Sequence, residues 1–131
     1  MNNKIHNPPG VPPPFGSYSH GVEIEPGKRV LCISGQLGVH EDGSVPEDFA
    51  DQAELAFRNM LTVLESGGMT PEDIVRLGVF LVDGVDLELY RGVRHRMIAA
   101  SVVPCSTLIY VPRLAFPEWL IEIEVWAAKP A

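Results

Sequence analysis

Ile74-Val75-Arg76-Leu77-Gly78-Val79-Phe80-Leu81-Val82 is the stretch on which the fold turns. β-Branched and apolar residues fill nearly every position, with Arg76 and Gly78 the exceptions. A strand that buries one face alternates apolar with polar residues, whereas a strand apolar throughout is buried on both faces. This segment is therefore expected in the middle of a sheet, or with one face against another subunit.

Working outward, Thr70-Pro71-Glu72-Asp73 caps a single turn just before the strand. Further upstream, Phe49, Ala53, Ala56, Phe57, Met60, Leu61 and Leu64 recur at spacings of three and four, which predicts an amphipathic helix. Ser44 with Glu47 resembles a capping box, Pro46 suits a first turn, and Gly67-Gly68 predicts the end. Downstream, Asp83 and Asp86 open a second helix whose inner side carries Tyr90, Val93, Arg94, Met97 and Ile98, with Leu87 a turn earlier. Arg91, Arg94, His95 and Arg96 crowd its last turns, where cations suit the helix dipole. Arg94 is either a snorkelling side chain or a functional one. Strands are expected over 106–111 and 120–127, joined by the proline-bracketed loop Pro112 to Pro117. In the last strand Ile121, Ile123 and Val125 alternate with Glu122, Glu124 and Trp126.

Toward the N-terminus, Tyr18 to Ile24 and Arg29 to Ser34 flank Pro26-Gly27-Lys28 and read as a hairpin. Ser34-Gly35-Gln36-Leu37-Gly38 suggests a bulge or a close backbone approach. Five prolines within residues 7–14 make an extended arm that lies on the domain, so residues 1–14 form a proline-rich arm and 15–131 one domain. The element order predicts an α+β layer with both helices on one face of a mixed sheet. The other face would remain apolar and must be hidden, which predicts self-association.

Composition narrows the classes. The 131 residues fit one domain, and 46% apolar content permits an unaided core. Ten basic against 17 acidic side chains give a net charge of -7, which disfavours nucleic acid and anionic membranes as partners. Two cysteines and four scattered histidines offer neither a disulfide framework nor metal-ligand spacing, so no metal is expected. No apolar run reaches the roughly 18 residues of a membrane span, and the first residues lack the apolar core of a signal peptide, so a cytoplasmic location is expected.

Several short motifs, in order, resemble the RidA/YjgF family (formerly "endoribonuclease L-PSP"). They are Phe15-Gly16-Ser17-Tyr18-Ser19-His20-Gly21, Ile33-Ser34-Gly35-Gln36, Gln52-Ala53 to Asn59-Met60, Asp73-Ile74-Val75-Arg76 to Val79-Phe80-Leu81, and Ile121-Glu122-Ile123-Glu124. The resemblance runs from about residue 15 to the end. It implies a chorismate-mutase-like (bacillus type) α+β fold and a homotrimer whose sheets form a central barrel with small-molecule clefts between subunits. It implies no metal and no organic cofactor. Typical members grip the carboxylate of a 2-imino or enamino acid with an arginine in a Pro-Ala-Arg-Ser motif, and a water aided by a glutamate then releases ammonia. Here the segment is Val103-Pro104-Cys105-Ser106-Thr107-Leu108. Anchoring on the proline puts Ser106 at the arginine position, and anchoring on the serine puts Cys105 there. Neither supplies a guanidinium, so the chain resembles a subgroup lacking the catalytic arginine.

By the same resemblance Tyr18, Ser34 and Glu122 carry over to the cleft, Glu122 as the catalytic acid, while a position usually held by asparagine aligns with Arg91. Cys105, Ser106 and Thr107 complete the expected substrate-binding set. Each has a plainer role as well. Glu122 and Glu124 share a strand face and could simply meet solvent. Arg91 could be a solvated helix arginine rather than a substitute anion grip. Cys105 is more simply a buried inert thiol than a nucleophile, and Cys32 is expected in the core. His20 either lines the cleft beside Tyr18 or caps the arm. The functional expectation is a divergent deaminase or hydrolase of an imine, enamine or related metabolite, without typical 2-iminoacid deaminase activity. The alternative is a non-catalytic metabolite-binding or regulatory homotrimer. Ribonuclease activity is disfavoured by the acidic charge.

Overall fold

A computed structural model describes residues 1–131. Strands β1 (Lys4–His6), β2 (Gly21–Glu23) and β3 (Lys28–Leu37) precede helix α1 (Phe49–Ser66). A 3₁₀ turn (Pro71–Asp73) leads into β4 (Ile74–Val82), followed by α2 (Leu87–Met97), β5 (Cys105–Val111) and β6 (Ile121–Pro130). The main sheet runs β3-β6-β4-β5, antiparallel except for the parallel pair β4–β5. Parallel neighbours need a crossover, and α2 supplies it. Strand β4 is interior, between β6 and β5, as its apolar run predicts. No helix is long and apolar enough to cross a membrane.

One face of the sheet carries the core. Leu77, Val79 and Leu81 of β4 and Ile121, Ile123 and Val125 of β6 are buried against Ala53, Ala56, Phe57, Met60 and Leu64 of α1 and against Tyr90 and Val93 of α2. The helical stripe and the strand alternation thus meet in one cluster. The cap of α1 differs from expectation. Asp48, not Ser44, is the N-cap and accepts the Asp51 N–H at 3.2 Å. Ser44 instead closes a tight turn, donating from N and Oγ to Asp42 Oδ1 at 2.9 and 2.6 Å. The helix begins three residues after Pro46, which leaves that proline's carbonyl free to accept from Gln52. Gly67 and Gly68 end the helix, Gly68 with φ 69°.

The expected hairpin between residues 18–24 and 29–34 does not form. Strand β2 pairs with β1, Ile5 opposite Val22, while the ten-residue β3 pairs with the ten-residue β6. Gly27 turns the chain at φ 84°, yet the strands part. Glu23 is held by His6 at 2.7 Å and Lys4 at 3.7 Å, which favours the β1 partner. The N-terminal segment is fixed on the domain: buried Asn3 donates to the carbonyls of Asp73 (3.3 Å) and Ala128 (3.0 Å). His20 serves this arm. Its Nε2 lies 2.6 Å from the Pro12 carbonyl, and its N–H donates to Asn7 Oδ1.

The other sheet face is uncovered by helix but is mixed rather than apolar as expected, because the polar partners of the strand alternation, Glu122 and Glu124, and Arg76 and Thr107 share it. Strand alternation and register place Val30 and Cys32 of β3, Glu122, Glu124 and Trp126 of β6, Arg76 and Phe80 of β4, and Cys105, Thr107 and Ile109 of β5 on it. Val30, Ile109 and Trp126 are each between 45% and 47% exposed. Cys32 is exposed as well and is not a core residue, because it alternates with buried Ile33. Gly78 lets Arg76 and Glu124 cross its backbone as an ion pair at 3.4 Å; a Cβ there would fall 2.7 Å from the Arg76 guanidinium.

Candidate active-site cleft and the opposite sheet face

A cavity of about 570 Å³ opens where the loop before β2, helix α2 and strand β5 converge. The loop contributes Phe15, Ser17 and Tyr18, and β5 contributes Ser106 and Leu108. Helix α2 contributes Leu87, Tyr90, Arg91, Arg94 and His95. The i, i+3, i+4 and i+7 spacing from Leu87 puts Tyr90, Arg91 and Arg94 along one side of the helix. The loop is anchored by Ser19, 2% exposed, whose Oγ donates to the Val103 carbonyl at 2.5 Å and whose N–H donates to the Pro104 carbonyl at 3.0 Å. Tyr18 Oη accepts the Phe15 N–H at 3.1 Å.

Arg94 organises this wall. Nη1 donates to the carbonyls of Ile98 and Ala99, and Nη2 to those of Val102 (2.6 Å) and Ser17 (3.4 Å). One guanidinium thereby joins the end of α2, the connection to β5 and the cleft loop. The residue is 5% exposed and has no carboxylate partner. Burial holds its pKa below the usual arginine value, with Tyr90 opposing, but a guanidinium stays charged in a protein. Burial pushes the Tyr90 hydroxyl well above its ordinary range, so the phenol is neutral. At the mouth, His95 Nε2 and Ser17 Oγ lie 3.0 Å apart, and Arg91 Nη1 donates to Glu88 Oε1 at 2.6 Å.

The expected site residues fall into two groups. Tyr18, Arg91 and Ser106 line the cleft together. Ser34, Cys105, Thr107 and Glu122 do not: Cys105 and Thr107 alternate with Ser106 and so belong to the uncovered sheet face, as do Ser34 and Glu122. Cys105 is half-buried, its Sγ 3.8 Å from the His20 carbonyl. Of the two residues that could stand at the arginine position, Ser106 is the one in the cleft. Ser34 is exposed at a bulge where the β3–β6 register shifts between Ile33 and Gln36. Glu122 is half-buried opposite Phe80, and its carboxylate lies over the Gly35 backbone. Burial, and then the neighbouring Glu124 charge, raise its pKa above the ordinary 4.5.

Phe15, Ser17, Tyr90, His95 and Leu108 were not singled out as site residues from sequence. The available signal was the helical spacing from Tyr90 to Arg94 and the period-two spacing from Ser106 to Leu108. No group of three or more His, Cys, Asp or Glu side chains converges to hold a metal. A second, mainly polar groove beside the start of α1, lined by His40, Asp51, Glu54 and Arg58 among others, lies apart from both groups.

Comparison with known proteins places this architecture. The family model described as Endoribonuclease L-PSP matches residues 10–129. A RutC family protein of Aquifex aeolicus is 37% identical over 123 residues, covering 92% of this chain and 95% of its own. A 2-iminobutanoate/2-iminopropanoate deaminase of Dermatophagoides farinae is 35% identical over 107 residues, covering 80% and 81%. Among solved structures, YyfB of the Rid protein family from Yersinia pestis superposes with a TM-score of 0.82 at 33% identity, over 98% of this chain and 100% of that one. Escherichia coli TdcF with bound serine superposes with a TM-score of 0.71 at 27% identity, over 96% and 98%. With the matched model spanning nearly its whole length and the same α+β arrangement in solved relatives, the chain belongs to the Endoribonuclease L-PSP family.

Proposed function

We propose that this chain is a divergent deaminase-type hydrolase that acts on an imine, enamine or related small metabolite, and that it lacks typical 2-iminoacid deaminase activity. The observation that carries this is the place of Ser106. It is one of the two residues, with Cys105, that can stand where the family resemblance expects a guanidinium, and it is the one that lines the cleft, whose arginines stand on α2 instead. Losing a charge-assisted contact to a carboxylate costs about 1.5–3 kcal/mol when nothing replaces it, and the reacting carbon is less well positioned. The relative named as a 2-iminobutanoate/2-iminopropanoate deaminase and the serine-bound TdcF structure support a small-molecule ligand.

The two groups of site residues support assembly. A chorismate-mutase-like homotrimer would cover the exposed Val30, Ile109 and Trp126 of the uncovered sheet face and bring Ser34, Glu122, Cys105 and Thr107 of one copy toward the cleft of the next. In that arrangement water adds to the C=N carbon, and the carbinolamine collapses to a carbonyl and free ammonia. Glu122, with its raised pKa, can hold the proton that the departing nitrogen takes up.

The test generates 2-aminoacrylate in situ and offers a panel of imines while ammonia is followed. Turnover of a neutral imine, lost in Glu122→Gln and absent for 2-iminoacids, is the expected result. Rates on 2-iminoacids matching those of arginine-bearing relatives would overturn it. The alternative, a non-catalytic metabolite-binding or regulatory trimer, is favoured by the same Ser106. It predicts ligand binding with no turnover of any imine.

A further inference from the structure

We propose that Ser17 and His95 form a nucleophile–base dyad at the mouth of the cleft, and that the dyad hydrolyses esters carrying a small uncharged acyl group. The inference goes beyond the preceding one. It uses the same cavity but neither Glu122 nor a neighbouring copy.

The geometry of the pair carries it. Ser17 Oγ and His95 Nε2 lie 3.0 Å apart, although 78 positions separate them in the chain. In a neutral imidazole protonated at Nδ1, the Ser17 hydroxyl donates to Nε2, the arrangement in which a histidine takes a serine's proton. Both partners are held from behind. His95 stands in the last turn of α2. Ser17 is the central residue of a three-residue turn that the Tyr18 N–H closes onto the Gly16 carbonyl at 2.9 Å. The Ser17 carbonyl accepts from buried Arg94 at 3.4 Å, and Ser19, two residues on, is bonded to the carbonyls of Val103 and Pro104. The Ser17 N–H has no acceptor in the chain. It belongs to the nucleophile's own residue and can donate to the oxyanion that forms there.

The surroundings choose the acyl group. Phe15, Tyr18, Leu87 and Leu108 give the cavity of about 570 Å³ an apolar lining that a short acyl chain can enter. The guanidiniums of the wall are already bonded, Arg94 to backbone carbonyls and Arg91 to Glu88. With no cationic fork free, the acyl group that suits this wall is uncharged.

The reaction balances with water alone. Ser17 Oγ bonds to the acyl carbon while its proton passes to His95 Nε2, and the carbonyl electron pair moves onto oxygen. The carbonyl then re-forms, the bond to the alcohol oxygen breaks, and that oxygen takes the proton from His95. Water repeats the sequence on the acyl-serine, giving one proton to His95, which returns it to Ser17 Oγ as the acid departs. No acidic side chain pairs with His95, so the expected rates lie below those of a full triad.

The test offers the full chain 4-nitrophenyl butanoate, with nitrophenolate release followed by absorbance and acylation by intact and peptide mass. Turnover through a single acyl group on Ser17 is expected. Ser17→Ala and His95→Gln should each lower the rate roughly tenfold or more. An alkyl phosphonofluoridate, which reacts with activated serines, should label Ser17 in the parent chain, a readout that does not depend on how any variant folds. No turnover by the parent, labelling only at another residue, or a parental rate in Ser17→Ala, which is what His95 acting alone would give, would each overturn the proposal. Its failure is separable from failure of the preceding reading. Imine turnover without ester turnover refutes the dyad alone, and ester turnover without imine turnover refutes the deaminase alone.

Discussion

The Glu122 carboxylate occupies the space that a side chain at residue 35 would need: a Cβ built on Gly35 falls 2.0 Å from Glu122 Oε1 and 2.8 Å from its Cγ. Glycine at the β3 bulge is what lets the acid fold back over the neighbouring strand. Gly35→Ala is expected to expel the carboxylate and to lower any Glu122-dependent turnover tenfold or more, at little cost in stability, because the atoms that must move belong to a flexible, half-exposed side chain. Activity and urea unfolding measured on the same preparation separate the two effects. Wild-type turnover in this variant would show that the carboxylate's position is immaterial.

Glu122 should titrate above 4.5 in the folded chain, because burial and Glu124 both disfavour its charged form. A raised carboxylate pKa means that the folded state binds its proton more tightly than the unfolded state. The associated stability is therefore full below the unfolded value and is lost as pH rises through the folded one. Carboxyl NMR titration should find Glu124→Gln lowering the Glu122 value. Urea midpoints across the acid range should show Glu122→Gln flattening that part of the pH dependence.

Arg94→Met removes donors to the carbonyls of Ser17, Ile98, Ala99 and Val102 together. Leaving several buried acceptors without partners should cost on the order of 3 kcal/mol or more. The urea midpoint should fall with the slope unchanged, and hydrogen exchange should rise first in the loop before β2 and in residues 98–104. Uniform exchange across the chain would deny Arg94 its local clamping role.

Gln52, 1% exposed, donates to the carbonyls of Pro46 and Glu118 and accepts the Leu120 N–H at 2.9 Å. Gln52→Leu matches its bulk but strands those groups, and about 3 kcal/mol of destabilisation is expected. Thermal unfolding is the measurement, and a change below about 0.5 kcal/mol would contradict the role assigned to these bonds.

Trp126 is 45% exposed on the uncovered face, opposite Cys32 and Arg76. Trp126→Lys should shift sedimentation from a trimer to a monomer at micromolar concentration. A parent chain that already sediments as a monomer would remove the between-copy site.

Much of this architecture was legible because periodicity is a local signal. The apolar run of β4, the α1 stripe and the alternation of β6 each set an element and its inward face. What failed was pairing at a distance. Lys4-Ile5-His6 is too short to carry a pattern, so its claim on β2 was invisible, and the turn at Gly27 invited a hairpin that the longer β6 displaced. Ser44 and Asp48 are both competent caps, and only the true start of the helix decides between them. Of the expected site residues, Tyr18, Arg91 and Ser106 line one cavity, while Ser34, Cys105, Thr107 and Glu122 do not. The distribution of Cys105, Ser106 and Thr107 between two faces follows from strand alternation, a signal present in the sequence. The buried state of Arg94 was not readable, because the carbonyls that satisfy it come from three separate segments.

Strand β5 is bonded to β4 alone and presents different residues to each side, Ser106 and Leu108 to one and Cys105 and Thr107 to the other. A single-residue insertion or deletion in the connection ahead of Pro104 could slide this edge by one position and exchange the two sets wholesale. A thiol and a threonine would then enter the cavity, and the serine would leave it. Relatives that differ in the length of that connection can therefore diverge in pocket chemistry without a single substitution inside the strand.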